Sequence, residues 1–222
     1  MAWEEFHRTG VYVAKSVSPH FRRVFQNLNE PECLVEVGCG TGRNLEYLRE
    51  TFPYSDICAT DLSVDALKSI YVDNIEKAAA DMRDNPFKSE CFTHSVSWRV
   101  IHSLDERGRR EAFEELRRLT KRGGYSVVAV RSSSDKRYGI GTECEKDSFV
   151  VLDSKELPEG EVFYKKDVYQ PWHFFPENEL MMSLGKNGFL VNQLHLISDD
   201  VGIPSFYTGS NLYWMAIVTR VR

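Results

Sequence analysis

Three glycines at alternate positions, Gly38, Gly40 and Gly42, follow a short apolar run and precede a helical pattern. Glycines in a turn between a strand and a helix permit positive φ angles and allow a ligand to lie against the main chain. The helix that follows such a turn presents free N–H groups at its start to a polar or anionic group. The stretch therefore predicts a binding site for a nucleotide-like ligand.

The spacing of these glycines discriminates between nucleotide-like ligands. A phosphate-binding P-loop requires a lysine followed by serine or threonine after its last glycine, whereas Arg43 and Asn44 follow Gly42 here. The dinucleotide fingerprint G-x-G-x-x-G places its third glycine one residue later than Gly42. A P-loop is therefore excluded, and a dinucleotide site is disfavoured but stays open.

At these residues the sequence resembles the class I S-adenosylmethionine-dependent methyltransferases. The stretch EVGCGTG, from Glu36 to Gly42, fits the acidic-x-G-x-G-x-G first motif of that family at every fixed position. Later stretches resemble later family motifs in the same order, namely CATDLS, AAADMRDNPF, SVSWRVIHSL, LRRLTKRGGYSVVAV and HFFPENELMMSLGKNGFLV. The resemblance thus extends along nearly the whole chain.

The resemblance implies S-adenosylmethionine as the cofactor and a set of residues that bind it. Asp61, at the end of the second strand, would bind the two ribose hydroxyls, although capping of the next helix is an alternative. Asp81 would accept from the adenine amino group and Met82 would pack near the ring, unless Asp81 is an ordinary loop acid. The complete implied set is Glu36, Gly38, Cys39, Gly40, Gly42, Asn44, Asp61, Leu62, Asp81, Met82 and Trp98.

The chemistry of methyl transfer requires few catalytic groups, since a methyl on a sulfonium is already activated. The protein has to align a nucleophile behind that methyl, exclude water and, where needed, remove a proton. His102 is the candidate base, because it follows the fourth strand, where the resemblance places the methyl. A packing histidine is an equally good interpretation. The sequence contains no H-E-x-x-H or G-x-S-x-G motif, and we predict no metal site.

Substrate selection is expected in the segments added to the common core. An insertion after the fifth strand, residues 132–173, is far longer than the usual ~2 to 6 residues. It contains a hairpin-like pair, SFVVLDS and EVFYKKD. An N-terminal segment, residues 1–30, resembles the lid of small-molecule members of the family, including the tellurite-resistance-like branch. The predicted substrate residues are Arg131, Tyr138, Trp172 and His173, and Trp3, Phe6, Tyr12 and Phe174 would also enclose the substrate, with core packing as the alternative for each aromatic residue.

The elements that must position these residues alternate between short β-branched runs and helical periodicities, which predicts an α/β fold. The resemblance specifies it as a Rossmann-like, seven-stranded, mostly parallel sheet with helices on both faces and a reversed last strand. The segment NLYWMAIVTRVR is predicted to be that strand, because the residues before it leave no helix-length crossover. We expect one domain over residues 1–222.

Composition limits the partners. The formal net charge of -5 disfavours nucleic acid, and the arginine-rich helix within DERGRREAFEELRRLTKRGG is interpreted as a solvated face. No run approaches the ~18 apolar residues of a membrane span, so we expect a cytoplasmic protein. We also expect a monomer or weak homodimer. The predicted function is methyl transfer to an O, N or S atom of a small molecule. The alternatives are an NAD(P)-dependent Rossmann oxidoreductase and a non-catalytic S-adenosylmethionine-binding protein.

Overall fold

The computed structural model describes residues 16–139, 142–150, 172–198 and 211–221. The strands of the main sheet are β1 (Cys33–Val37), β2 (Asp56–Asp61), β3 (Ile75–Ala79), β4 (Phe92–Trp98), β5 (Thr120–Arg131), β9 (Phe189–Ser198) and β10 (Leu212–Arg220). The helices are α1 (Pro19–Phe25), α2 (Leu45–Thr51), α3 (Val64–Lys68), α4 (Glu106–Leu119) and α5 (Glu177–Lys186), with a 3-10 helix at Ile101–Ser103. None of these helices is long and apolar enough to cross a bilayer.

The seven strands form one sheet in the order β3-β2-β1-β4-β5-β10-β9. Neighbouring strands from β3 to β5 are parallel, whereas β10 is antiparallel to both β5 and β9. The predicted fold class is therefore confirmed, including the reversed last strand between the fifth and the sixth. In a sheet of this kind, ligands bind at the carboxyl ends of the parallel strands, where the order reverses.

The central strands are buried because helices cover both faces of the sheet. One face packs Leu34 and Val96 against α1 and α2, and the other packs Val35 and Val128 against α4 and α5. This arrangement explains why consecutive residues are buried along β1 and β4, including polar ones, instead of every second residue.

Two helix boundaries differ from the prediction. The pattern SVDALKSIYVDNIEKAAA predicts a single helix, but it folds as the short α3 followed by β3, with Asn74 at φ 56° between them. The partial strand predicted within KAAAD extends further toward the N-terminus, since β3 begins at Ile75. Strand pairing with β2 overrides the helical periodicity here.

Gly123 and Gly124 follow the arginine-rich helix in the sequence and are predicted to end it, as glycines often do. This prediction is wrong: helix α4 ends at Leu119 and β5 begins at once, so both glycines lie within the first part of that strand. The register between β4 and β5 shifts near this point, and a β-carbon on Gly124 would lie 2.7 Å from the carbonyl oxygen of Thr93. Gly124 therefore allows a close strand approach, while Gly123 supplies a residue with a positive φ of 76°.

The described part of the insertion forms a second sheet of three strands, in the order β6 (Thr142–Glu145), β7 (Ser148–Val150) and β8 (Trp172–His173). Strand β7 pairs with β6 on one edge and with β8 on the other, at Ser148 and Phe149, and its predicted hairpin partner EVFYKKD lies outside the described residues. Helix α4 contacts this sheet through Arg109, whose Nη1 lies 3.3 Å from Glu145 Oε2. Arg109 is buried, so the interpretation of that helix as a wholly solvated face is wrong at this residue.

Candidate active site

The turn after β1 has the conformation that its glycines predict. Gly38, Gly40 and Gly42 adopt φ angles of 74°, 56° and 80°, a region that other residues rarely occupy. A β-carbon on Gly38 would lie 2.7 Å from Val100, and one on Gly42 would lie 2.8 Å from Ile70. At these two positions the main chain is therefore approached by side chains of the protein itself.

Asp61 is held at the end of β2 by the backbone of two turns. Its Oδ2 accepts from Gly40 N–H at 2.7 Å, and its Oδ1 accepts from Ser63 N–H at 2.9 Å. The cap of α3 is Ser63, whose hydroxyl accepts from Ala66 N–H, so the capping interpretation of Asp61 is wrong. The carboxylate of Asp61 is thus fixed in orientation beside the glycine turn, and its remaining lone pairs can accept from a diol.

Glu36 and Asn44 form a buried polar pair under the same turn. Asn44 Nδ2 donates to Glu36 Oε1 at 2.7 Å, and both residues are buried. Glu36 Oε2 and Asn44 Oδ1 have no hydrogen-bond partner within the described part of the chain. Burial raises the pKa of Glu36 to about 7. Two adjacent, unsatisfied acceptors of this kind fit a ligand group rich in donors, such as the ammonium of a methionine moiety.

The residues predicted to bind adenine lie after β3. Asp81 accepts from Arg83 Nε at 2.8 Å and from Nη2 at 2.5 Å, and this pairing lowers the pKa of Asp81. Met82 is buried in the core cluster on the α4 face, and Leu62 is half-buried. Arg83 was not predicted, and it occupies the carboxylate that would bind the adenine amino group.

The last two predicted cofactor residues are Cys39, within the turn, and Trp98, at the end of β4, and both are buried. Burial raises the pKa of the Cys39 thiol, which therefore stays protonated. Trp98 packs edge-on against Phe21 of α1, with ring centroids 5.0 Å apart, and its Nε1 has no partner among the described residues. Both side chains belong to the core cluster on the α1 face.

His102 lies in the 3-10 helix that follows β4, and it is buried. Its Nδ1 has no hydrogen-bond partner in the described residues. Desolvation, followed by the positive charges of Arg131, Arg99 and Arg137, holds the pKa of His102 well below its ordinary value. The imidazole is therefore neutral at neutral pH and accepts a proton reluctantly.

Three arginines gather around the buried ring of Tyr213, and we call Arg99, Arg131 and Arg137 the arginine cluster. The guanidinium carbons of Arg99 and Arg131 lie 4.8 Å and 5.3 Å from the centroid of that ring. The His102 ring lies 6.0 Å from the same centroid. Arg99 directly follows β4 and has a φ of 67°, an unusual value for a residue with a side chain.

Arg131 ends β5 and is buried. Its guanidinium lies 3.9 Å from the centroid of the Trp172 ring, while its Nη1 lies 3.6 Å from Asp135 Oδ2. Neither its Nε nor its Nη1 makes a hydrogen bond within the described residues. Burial lowers the pKa of Arg131 to about 10, so the side chain is still a cation at neutral pH.

The other predicted substrate residues are distributed over the second sheet and its surroundings. His173 is buried, and its two ring nitrogens lie 2.9 Å from Ser148 Oγ and 2.9 Å from Glu179 Oε1. The Tyr138 hydroxyl donates to Asp147, and Phe174 is fully buried. The remaining predicted aromatic residues lie outside the described residues, namely Trp3, Phe6 and Tyr12.

The structure thus brings together Arg131, Trp172 and His102, and it adds Arg99, Asp135, Arg137 and Tyr213, which were not predicted. A signal for them was present, since charged residues directly follow two apolar strands, in SVSWR and in RSSSDKR. Within the described ranges, no group of three histidine, cysteine or acidic residues is arranged to hold a metal ion.

Comparison with known proteins shows which proteins the chain is similar to. Residues 34–124 match the family described as methyltransferase domain. The chain is 29% identical over 101 residues to a malonyl-[acyl-carrier protein] O-methyltransferase of Herminiimonas arsenicoxydans, covering 46% of this chain and 38% of that one. It is 26% identical over 143 residues to a tRNA (carboxymethyluridine(34)-5-O)-methyltransferase of Arabidopsis thaliana, covering 59% of this chain and 34% of that one.

Solved structures show the same fold along the chain. A methyltransferase from Methanosarcina mazei superposes with a TM-score of 0.72 at 17% identity, over 93% of this chain and 99% of that one. A Burkholderia thailandensis 1,6-didemethyltoxoflavin N1-methyltransferase superposes with a TM-score of 0.62 at 13% identity, over 92% of this chain and 78% of that one. The predicted fold is therefore shared with solved methyltransferase structures, and residues 34–124 resemble the methyltransferase domain family. The chain spans little more than a third of its curated relatives' lengths.

Proposed function

We propose that this protein transfers the methyl group of S-adenosylmethionine to an O, N or S atom of a small-molecule acceptor. The observation that carries the proposal is the unsatisfied pair of acceptors, Glu36 Oε2 and Asn44 Oδ1, beside the glycine turn and the oriented carboxylate of Asp61. The match of residues 34–124 to the methyltransferase domain family supports it independently.

The roles of the cofactor residues follow from the groups that they leave available. Asp61 would bind the ribose diol, and Glu36 with Asn44 would bind the ammonium end of the cofactor. Asp81 and Met82 would border the adenine, with Arg83 sharing the carboxylate of Asp81. The backbone of the glycine turn would lie against the ligand, above the core residues Cys39 and Trp98 and beside Leu62.

The bound cofactor supplies a methyl group that is already activated on a sulfonium, so the chain's own residues need to position the acceptor and exclude water. His102 is too weak a base to remove protons efficiently from an alcohol, because burial and the arginine cluster depress its pKa. A hydrogen bond between its Nδ1 and the methyl acceptor is the role that fits its neutral form. We also propose that Arg131, Tyr138 and Trp172 contact the acceptor near His102. His173, which was predicted to contact it as well, is instead proposed to position this segment, since its ring nitrogens contact Ser148 and Glu179.

The segments outside the common core would cover this site. We propose that residues 1–30 act as a lid and that residues 132–173 form the substrate-selecting cover, within one domain of a cytoplasmic monomer or weak homodimer. The described part of the cover contacts α4 through Arg109 and Glu145, and it places Trp172 against Arg131. Both contacts lie near the carboxyl ends of β4 and β5.

A nucleic acid is the second candidate acceptor, because one curated relative is named as a tRNA methyltransferase. We favour a small molecule because the formal net charge of -5 opposes binding to a phosphate backbone. Both curated relatives are named as O-methyltransferases, with malonyl and carboxymethyl groups in their substrate names. Oxygen is therefore the first accepting atom to test.

Calorimetric titration with S-adenosylmethionine, S-adenosylhomocysteine and NAD tests the cofactor proposal. Binding of the first two and not of NAD is expected, whereas binding of NAD alone would establish the oxidoreductase alternative. Labelled methyl transfer to a panel of small acids, amines and thiols, with tRNA as a further acceptor, then tests activity. Tight cofactor binding without transfer to any acceptor would favour the non-catalytic binding protein.

A further inference from the structure

In the arginine cluster, Arg131 and Arg137 share a single carboxylate as their ion-pair partner among the described residues. Asp135 is the acid within it, and its carboxylate is committed to Arg137, which donates from Nε at 2.8 Å and from Nη2 at 2.5 Å. The Leu212 N–H donates to the same carboxylate at 3.0 Å. Asp135 therefore has little capacity left for a second guanidinium.

Arg131 is left as a buried cation with unused donors. Its closest approach to Asp135 is the 3.6 Å ion pair from Nη1, which is too long for a good hydrogen bond. Trp172 covers one face of the guanidinium but cannot accept in its plane. A buried cation whose Nε and Nη1 donors have no hydrogen-bond partner among the described residues is costly, and a ligand with matching negative charge would remove that cost.

The position of Arg131 connects that negative ligand to methyl transfer. Arg131 is the last residue of β5, and its charge acts on His102, just after β4. Val100, in the same segment as His102, packs against Gly38 of the cofactor turn. An anion bound at Arg131 would therefore sit at the same sheet edge as the cofactor.

The low pKa of His102 limits which groups can serve as the nucleophile, because this imidazole is a poor proton acceptor. An alcohol or an ammonium would have to lose a proton in surroundings that oppose proton uptake. A carboxylate is already deprotonated at neutral pH, and a guanidinium recognises it with strong, charge-assisted hydrogen bonds. It meets both requirements, for charge and for nucleophilicity.

We infer that the methyl acceptor is a carboxylate, bound by Arg131, and that the product is a methyl ester. This inference rests on the proposed methyltransferase function. One carboxylate oxygen uses a lone pair to form the bond to the methyl carbon, while the bond from that carbon to sulfur breaks and its electron pair stays on sulfur. The carboxylate and the sulfonium lose their charges together, and no proton is released.

The test compares an anionic probe with its neutral analogue on protein that is saturated with S-adenosylhomocysteine. Malonate should raise the melting temperature by roughly 3 °C at ten times its Kd, whereas malonamide should not. Arg131→Met should weaken malonate binding at least tenfold. Arg110→Met, which removes an exposed arginine of α4, should leave it unchanged. An equal shift with malonamide or sulfate, or no shift with malonate, would overturn the carboxylate assignment.

The stability of the ligand-free variant separates binding from structure. Replacing Arg131 with methionine should maintain or raise the melting temperature, because it removes an uncompensated buried charge and leaves Asp135 paired with Arg137. A lower melting temperature would assign Arg131 a structural role instead.

The product provides a second readout. Labelled methyl transferred to monoacid acceptors should be released as methanol by mild alkali, as expected for an ester, and label that resists alkali would contradict the inference. If calorimetry shows that the unaltered protein does not bind S-adenosylhomocysteine, the proposed function itself is refuted.

Discussion

The glycine turn and the arginine cluster lie at the same edge of the sheet, but they are stabilised differently. The turn is fixed by contacts within the protein: Asp61 receives two backbone donors, and Gly38 and Gly42 accommodate neighbouring side chains. In the cluster, Arg131 is buried with unused donors. Substitutions in the turn should therefore weaken both folding and ligand binding, whereas substitution of Arg131 should weaken ligand binding without lowering stability.

The largest expected effect is on cofactor affinity in Asp61→Ala. In the proposed site the variant would lose two charge-assisted hydrogen bonds to the ribose diol, worth ~1.5 to 3 kcal/mol each, so its affinity for the cofactor should fall at least about a hundredfold. Calorimetry with S-adenosylhomocysteine measures the change, and circular dichroism checks that the variant is folded. Unchanged affinity in a folded variant would mean that the end of β2 is not the ribose site.

Glu36 should make the stability of the ligand-free domain depend on pH. Its folded-state pKa of about 7 lies above the ordinary 4.5, so the folded state holds the proton more tightly. This contribution is fully present below pH 4.5 and is lost as pH rises through about 7. Between pH 4.5 and pH 8, the free energy of unfolding measured with urea should fall by up to about 3 kcal/mol more in the unaltered protein than in Glu36→Gln, which keeps the Asn44 contact. Parallel pH profiles for the two proteins would contradict this.

Gly38→Ala tests whether the turn is constrained by the protein's own packing. The added β-carbon would lie 2.7 Å from Val100, and the alanine would have to keep the positive φ of Gly38. The free energy of unfolding should therefore fall by about 2 kcal/mol. Adding Val100→Ala should relieve the clash but not the backbone strain. The double variant should therefore be more stable than the sum of the two single destabilisations predicts. A double-mutant cycle in thermal unfolding measures the coupling, and strict additivity would argue against the contact.

His173 and Trp172 should separate into a structural and a substrate-contacting residue. His173→Ala removes the contacts to Ser148 and Glu179, so it should destabilise the protein by about 1 to 2 kcal/mol and leave activity per folded molecule unchanged. Trp172→Ala uncovers Arg131, so it should raise the acceptor KM with a smaller change in melting temperature. Measuring melting temperature and single-turnover rate on both variants decides this, and the reverse pattern would exchange the two roles.

Much of the fold could be predicted because it depends on local patterns. Apolar runs located the strands, and a final segment without room for a crossover indicated the reversed strand, as β10 confirms. The boundaries of α3 and α4 could not be predicted, since pairing of β3 with β2 and of β5 with β4 replaced helix at both places. Strand pairing joins residues distant in sequence, and helical periodicity carries no information about it.

The same distinction applies to the site. The amino-acid sequence by itself determined the glycine turn and Asp61, because backbone conformation and motif spacing are local properties. It also marked Arg131 and Trp172, but not that one would lie over the other. Only the tertiary structure decided the arginine cluster, which joins the ends of β4 and β5 to Tyr213 of β10. The charge balance of a buried group depends on all the neighbours that surround it in space, and the chain brings those neighbours together only when it folds.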